Sequence, residues 1–162
     1  MLTLPNSVTG AVGETVEVIA LRIGEHRLGV DIGRVTEIST RLRPFPAPVA
    51  IEHIAGVLNL RGEVVTVLKL DVLLGSARRG CGESGKMKYV LLRSGDDRAA
   101  VEVDEVEDVQ EIVRSDVLPL PAGVSRKVAA ICDGVLPQAT GMLLMLDVAR
   151  LFSLDDGTKI RK

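Results

Sequence analysis

The chain has 162 residues, of which 46% are hydrophobic and 26% are charged, and this globular composition argues against intrinsic disorder. Its net charge of -2 and its aromatic content of 2% argue against nucleic-acid binding, which uses basic surfaces and rings for base stacking. No apolar run approaches the roughly 20 residues of a transmembrane helix, so we expect no direct insertion into a membrane.

The first predicted strands follow a flexible arm. Residues 1–15 contain one proline and two glycines before the first β-rich segment and are predicted to form this arm. The segment VEVIALRI at 16–23 is β-branched and aliphatic, which predicts a strand. A turn at 24–27 precedes alternating apolar residues, so a return strand is expected through Ile32.

A proline-containing link separates this region from a second pair of strands. Pro44, Pro46 and Pro48 favour an extended, irregular connection. Strands are then predicted at 55–60 and 63–70, followed by a short helical turn. The glycine-rich stretch at 75–86 is predicted to be a flexible linker.

Arg61 and Gly62 interrupt the otherwise apolar stretch GVLNLRGEVVTVLKL at 56–70. Glycine supplies the backbone freedom of a tight turn, and an arginine beside it can simply be a solvated turn residue. However, Asn59 would share a face with Arg61 on an extended strand, and Glu37 upstream is likewise framed by aliphatic side chains. We therefore predict that Glu37 and Arg61 form an ion pair or lie near one another.

The second half of the chain resembles the first. The segment at 23–35 aligns with that at 94–106 at an offset of 71 (94 minus 23). The segment at 68–75 aligns with that at 144–151 at an offset of 76 (144 minus 68). Chance similarity of strand–turn–strand patterns is the alternative, but two aligned segments in the same order favour a duplicated β unit. About five strands per unit suffice to close a small barrel that hides its edges.

Residues that could carry chemistry are sparse. His26 and His53 lack metal-ligand spacing, and the common phosphate-binding and hydrolase motifs are absent. Residues 102–111 contain six acids that could bind Ca²⁺ or act as acid–base groups, but they interleave with valines. We therefore expect the acids to face solvent and the valines to face the core. No catalytic residue, cofactor or metal is predicted.

The two cysteines, Cys81 and Cys132, lie in a glycine-rich and an apolar stretch, respectively. Together with the lack of a basic segment before Arg22, they suggest a reducing cytoplasm.

Three segments carry a recognisable pattern: VTEI at 35–38, GVLNLRGEVVTVL at 56–68 after the proline link, and LMLDVARLF at 144–152. Together they resemble the CheW family of bacterial chemotaxis coupling proteins. The resemblance covers about residues 16–153. Thr66 stands where the family usually has proline and Lys69 where it usually has aspartate, so the chain resembles a divergent member of the family.

The resemblance implies a mostly β fold with two packed, five-stranded SH3-like barrels and a short C-terminal helix, for which 146–154 is the clearest candidate. The expected division places the first barrel at about 16–75, the linker at 75–86 and the second barrel at about 86–153, followed by a tail at 154–162.

The resemblance also implies a non-catalytic, cytoplasmic adaptor between chemoreceptor tips and the regulatory domain of a CheA-type histidine kinase, associated with receptor arrays through these partners. By motif match, the partner-binding region contains Val35, Glu37, Gly56, Asn59, Arg61 and Gly62. We expect the acidic strip at 102–111 to select a different partner on the second barrel. The alternatives are an adaptor of a related pathway, such as twitching or gliding motility, and a small β-barrel enzyme.

Overall fold

The computed structural model describes residues 14–46, 51–76 and 87–154. The predicted arm up to residue 13, most of the predicted linker and the tail from residue 155 lie outside the described residues.

The described residues form ten strands and three short α-helices, with 3₁₀ turns at Ile32–Arg34 and Arg114–Asp116. The strands are β1 (Thr15–Ile23), β2 (His26–Asp31), β3 (Val35–Ser39), β4 (Ile54–Leu60), β5 (Glu63–Lys69), β6 (Lys88–Ser94), β7 (Asp97–Val103), β8 (Glu105–Val113), β9 (Cys132–Gln138) and β10 (Gly141–Leu146). The helices are α1 (Leu70–Leu74), α2 (Arg126–Ile131) and α3 (Val148–Leu154).

The strands form two five-stranded sheets with the orders β8-β1-β2-β10-β9 and β3-β6-β7-β5-β4. In each sheet one central pairing is parallel, β2 with β10 and β5 with β7, and the other pairings are antiparallel. The two orders are equivalent: each strand of one sheet corresponds to the strand five places earlier or later in the chain at the same position of the other sheet, as β1 does to β6 and β8 to β3. This equivalence supports the predicted duplication, and the predicted fold class of two packed five-stranded β units is confirmed.

The two sheets do not coincide with the two halves of the chain. The sequence predicted one barrel from about 16–75 and another from about 86–153, whereas each sheet combines two strands of one half with three of the other. Thus β1 and β2 pair with strands of the second half, and β6 and β7 pair with strands of the first. A local repeat marks the units of the duplication, but the pairing partners are set by contacts distant in sequence.

The first strand shows why the sheets pack together. Its residues are buried on both faces: Val18 and Ala20 belong to a cluster within their own sheet, while Ile19 and Leu21 belong to the core between the two sheets. A strand segment covered on both sides reads as a continuous apolar run, which explains residues 18–21 in the middle of VEVIALRI. The other sheet has its own inner cluster, which includes Leu58, Val67 and Tyr89. We call the closed sheet containing β3–β7 the first barrel and the other the second barrel.

The C-terminal helix begins two residues later than predicted. Leu146 ends β10, and the carboxylate of Asp147 accepts a hydrogen bond from the amide of Arg150 at 3.2 Å, which caps the first turn of α3. The sequence analysis missed α2, whose capping residue is Ser125: its hydroxyl accepts from the amide of Val128 at 3.2 Å. Within the three described ranges, every helix falls short of the length and apolar character needed to cross a bilayer.

Candidate functional site

The Arg61–Gly62 pair forms a two-residue hairpin turn between β4 and β5, with Leu60 paired to Glu63. Both turn residues have positive φ, 52° at Arg61 and 87° at Gly62, as the hairpin turns that match strand twist require. Asn59 contributes its side-chain oxygen, which accepts a hydrogen bond from the amide of Gly62 at 3.0 Å. Arg61 therefore lies in the turn and not on an extended strand, and Asn59 stabilises the turn.

Arg61 and Glu37 form the predicted ion pair, with 3.6 Å between Nη2 and Oε1. Glu37 lies on β3, whereas Arg61 follows β4, and these strands occupy opposite edges of one sheet. The contact therefore joins the two edges across the closed barrel. The Arg61 side chain is 78% exposed, so the pair contributes less than about 1 kcal/mol to stability.

Gly56 permits a second contact that closes the same barrel. Phe45 and Val57 exchange two backbone hydrogen bonds, both of 2.8 Å, which attach the segment after β3 to β4. A Cβ atom at Gly56 would lie 2.1 Å from the carbonyl oxygen of Phe45. The glycine is thus needed for the close approach of two backbones.

Val35, the remaining predicted site residue, begins β3 opposite Leu92 and packs against the core between the sheets. The structure therefore brings together Glu37, Asn59, Arg61 and Gly62, while Val35 and Gly56 support the surrounding backbone. We call the first four residues the turn surface.

Exposed apolar side chains, which the sequence analysis missed, occur on both barrels. They are Ile38, Phe45 and Val64 on the first and Val109, Leu118 and Met142 on the second, with exposures between 41% and 64%. We call these sets the first and second apolar triads.

The two triads occupy equivalent positions in the duplication. Ile38 and Val109 are separated by the repeat offset of 71 (109 minus 38). Phe45 and Leu118 form the isolated bridges that attach each connecting segment to β4 or β9. Val64 and Met142 are the second residues of β5 and β10. The repeat in the sequence pairs only Ile38 with Val109, since Phe45 and Leu118 are 73 residues apart and Val64 and Met142 are 78 apart, offsets that neither aligned segment gives.

The acidic strip at 102–111 does not form the expected solvated face. Asp104 is only 5% exposed; its carboxylate accepts from the amide of Gly24 at 2.8 Å, and its own amide donates to the carbonyl of Arg22 at 2.9 Å. Val109, which was expected in the core, is 51% exposed. The physical reason is the break between β7 and β8 at Asp104, which interrupts the alternation of a continuous strand.

Several acids of the strip are also paired within the chain. Glu105 lies 3.2 Å from Nζ of Lys88, and Glu107 lies 3.0 Å from Nε of Arg27. These pairs neutralise much of the charge that was expected to select a partner. Glu107, Asp108 and Glu111 are the exposed acids of β8, and Glu107 is the one of these three that pairs with an arginine.

At the equivalent end of the second barrel, Arg27 forms a polar network in addition to its ion pair with Glu107. The guanidinium of Arg27 donates to the side-chain oxygen of Gln138 at 2.9 Å, and Gln138 donates to Gln110 at 2.6 Å. These contacts link β2, β8 and β9 near the β9–β10 turn. Equivalent ends of the two barrels therefore present different chemistry.

The two departures from the family pattern lie on β5. Thr66 is buried, with 8% exposure. Lys69 is in register with Glu102 of the parallel strand β7, and its amide donates to the carbonyl of His53 at 2.8 Å. Lys69 therefore faces an acidic neighbour in its own sheet.

Metal-ligating side chains and the free thiol were the remaining candidates for chemistry in residues 14–46, 51–76 and 87–154. No group of three or more His, Cys, Asp or Glu side chains is placed to hold a metal ion in these ranges. Burial, together with the nearby Asp133 carboxylate, raises the pKa of the Cys132 thiol to about 12. This thiol stays protonated near neutral pH and is a poor nucleophile.

Comparisons with known proteins give one consistent result. The family model described as "CheW-like domain" matches residues 17–156. The chain is 28% identical over 149 residues to "Chemotaxis protein CheW" of Treponema pallidum, covering 91% of this chain and 88% of the relative. It is 27% identical over 157 residues to the protein of the same name from Klebsiella aerogenes, covering 93% and 90%, respectively.

A solved structure has the same fold. The scaffolding protein TtCheW from Thermoanaerobacter tengcongensis superposes with a TM-score of 0.72 at 24% sequence identity. The match covers 82% of this chain and 89% of that protein.

Proposed function

The chain belongs to the family of CheW-like domains, and we propose that it is a non-catalytic adaptor that couples transmembrane chemoreceptors to a CheA-type histidine kinase in bacterial chemotaxis. The names of the relatives from Treponema pallidum and Klebsiella aerogenes support the chemotaxis pathway. In this proposal the chain acts in the cytoplasm, held at receptor arrays by its partners.

The observation that carries the proposal is the presence of two equivalent but chemically different surfaces. Each barrel exposes an apolar triad, and exposed apolar side chains are suited to contact with other proteins. The first triad shares its barrel with the Arg61–Glu37 pair, whereas Val109 of the second triad lies between Asp108 and Gln110. Different charges around similar apolar contacts allow each surface to select its own partner.

We assign the turn surface, together with Ile38, to the first partner. Glu37 and Arg61 supply charges, and Asn59 and Gly62 hold the turn that presents Arg61. Val35 and Gly56 act indirectly in this proposal, because they fix β3 and the Phe45–Val57 contact. The second triad, with exposed Asp108 and Glu111, is assigned to the second partner.

Equivalent substitutions on the two barrels test the assignment. We expect Ile38→Ser to weaken binding of one partner fragment, receptor tip or kinase regulatory domain, by about tenfold. Val109→Ser should weaken binding of the other partner fragment to a similar extent. Each substitution removes one apolar contact from one of the two surfaces. Isothermal titration of each variant with each fragment measures this.

Arg126→Gln is the control, since Arg126 is an exposed residue of α2 that belongs neither to the turn surface nor to either triad. Circular dichroism must show that all three variants remain folded. Equal losses for both fragments in both single variants would contradict two separate surfaces.

A further inference from the structure

A basic recess lies at the end of the first barrel where β3 ends and β6 begins. It has a volume of about 540 Å³ and is lined by the segment 40–44 on one side and by Met87 and Tyr89 on the other. Leu42, Met87 and Tyr89 belong to the inner cluster of this barrel, so the recess has an apolar floor.

The described residues that line this recess do not compensate its positive charge. Arg41 and Arg43 are exposed, and neither forms a salt bridge with a residue in the described ranges. Among the described lining residues there is no carboxylate. The hydroxyl of Tyr89 lies 3.5 Å from the carboxylate of Glu102 and is directed to that acid. The two guanidinium groups are therefore the charged groups available to a ligand.

The segment that carries the two arginines is held at both ends. Its start is fixed because the amide of Arg41 donates to the hydroxyl of Ser39 at 3.0 Å. Its end is fixed by the paired backbone hydrogen bonds between Phe45 and Val57. These contacts reduce the conformational entropy that binding would cost, because the backbone that carries the two arginines is already fixed in the free protein.

The second barrel has a cavity at the equivalent position, of about 340 Å³, with different charge. Arg114 is the equivalent of Arg43 at the repeat offset of 71 (114 minus 43), and Ile112 replaces Arg41. Arg114 lies 3.6 Å from Glu14, and three aspartates line the cavity together with Arg34. The equivalent cavity of the second barrel therefore carries more acids than arginines, whereas the charged side chains described at the recess of the first barrel are both arginines.

We propose that the basic recess binds an acidic, aliphatic peptide segment of a partner protein. Carboxylates spaced along an extended peptide would pair with Arg41 and Arg43, since guanidinium groups match carboxylate geometry. An aliphatic side chain between them would lie on the floor formed by Leu42, Met87 and Tyr89. A peptide fits better than an anionic lipid surface, because the recess is concave and its apolar floor can accept a single side chain of a narrow extended chain. The recess shares no residue with the turn surface, and the proposal does not depend on the proposed adaptor role.

A synthetic peptide tests the proposal directly. The probe is the acetylated, amidated and fluorescently labelled sequence Leu-Asp-Leu-Glu-Leu, and the control is Leu-Asn-Leu-Gln-Leu. Fluorescence anisotropy should show saturable binding of the acidic probe that weakens with added salt. The combined Arg41→Gln and Arg43→Gln variant should weaken it by about tenfold. Arg114→Gln, the same change at the equivalent position, should leave it unchanged.

Three results would overturn the proposal. The first is no saturable binding of the acidic probe, and the second is equal binding of the neutral peptide. The third is that the chain fails to bind the peptide but binds phosphatidylglycerol vesicles, and that this vesicle binding is lost in the combined Arg41→Gln and Arg43→Gln variant.

Discussion

Arg61 shows how one residue serves both the fold and the candidate surface. Its positive φ of 52° is unusual for a side chain with a Cβ atom, and it places the guanidinium in solvent beside Glu37. The pairing of Glu37 and Arg61 could be predicted from two charges, each within an aliphatic segment. The role of Asn59 could not, because an extended strand was assumed where the structure has a turn.

The Glu37–Arg61 pair should couple only weakly. We predict that a double-mutant cycle with Glu37→Gln and Arg61→Gln gives a coupling energy below about 1 kcal/mol, because solvent screens an exposed pair. Urea unfolding of the four proteins measures it. A coupling energy of several kcal/mol would show that the pair is shielded from water in solution.

Cys132 should make stability fall at high pH. Its thiol pKa is raised from 9.0 to about 12, so the folded state holds its proton more tightly than the unfolded state. This contribution is fully present below pH 9 and is lost as the pH rises towards 12, by up to about 4 kcal/mol. The free energy of unfolding should therefore decline more steeply for the wild type than for Cys132→Ala. Parallel pH profiles of the two proteins would contradict a buried, neutral thiol.

At the scale of elements, the strands could be predicted well because apolar and β-branched runs alternate with glycine-containing turns. The strands at 16–23, 55–60 and 63–70 agree closely with β1, β4 and β5. The prediction that all acids at 102–111 face solvent was wrong for Asp104. The alternation of acids and valines does not indicate that its carboxylate turns inward and accepts a hydrogen bond from the amide of Gly24. Buried polar groups of this kind are set by tertiary contacts.

Gly56 should be the glycine most sensitive to substitution in the first barrel. We predict that Gly56→Ala lowers the free energy of unfolding by at least about 2 kcal/mol, because the added methyl group would meet the backbone of Phe45. Gly123→Ala is the matched control, since a Cβ there meets nothing within 4 Å. Urea unfolding compares them, and equal stabilities would show that β4 and the Phe45 segment separate easily.

At the scale of the whole molecule, the duplication was visible in the sequence but the exchange of strands was not. The offsets of 71 and 76 relate segments of similar shape, yet β1 and β6 each pair with strands of the opposite half. Each barrel contains strands from both halves of the chain, and the two barrels share the core between the sheets. We therefore treat the molecule as one unit with two related surfaces. The equivalent apolar triads follow from the same duplication.

The measurement that tests bridging most directly is the formation of a ternary complex. The chain is first saturated with kinase regulatory domain, and the receptor tip fragment is then titrated while sedimentation velocity follows the mass of the complex. Two separate surfaces predict a species that contains all three proteins, with receptor affinity unchanged within about threefold by the bound kinase domain. Displacement of the kinase domain by the receptor fragment, with no three-component species, would contradict the account.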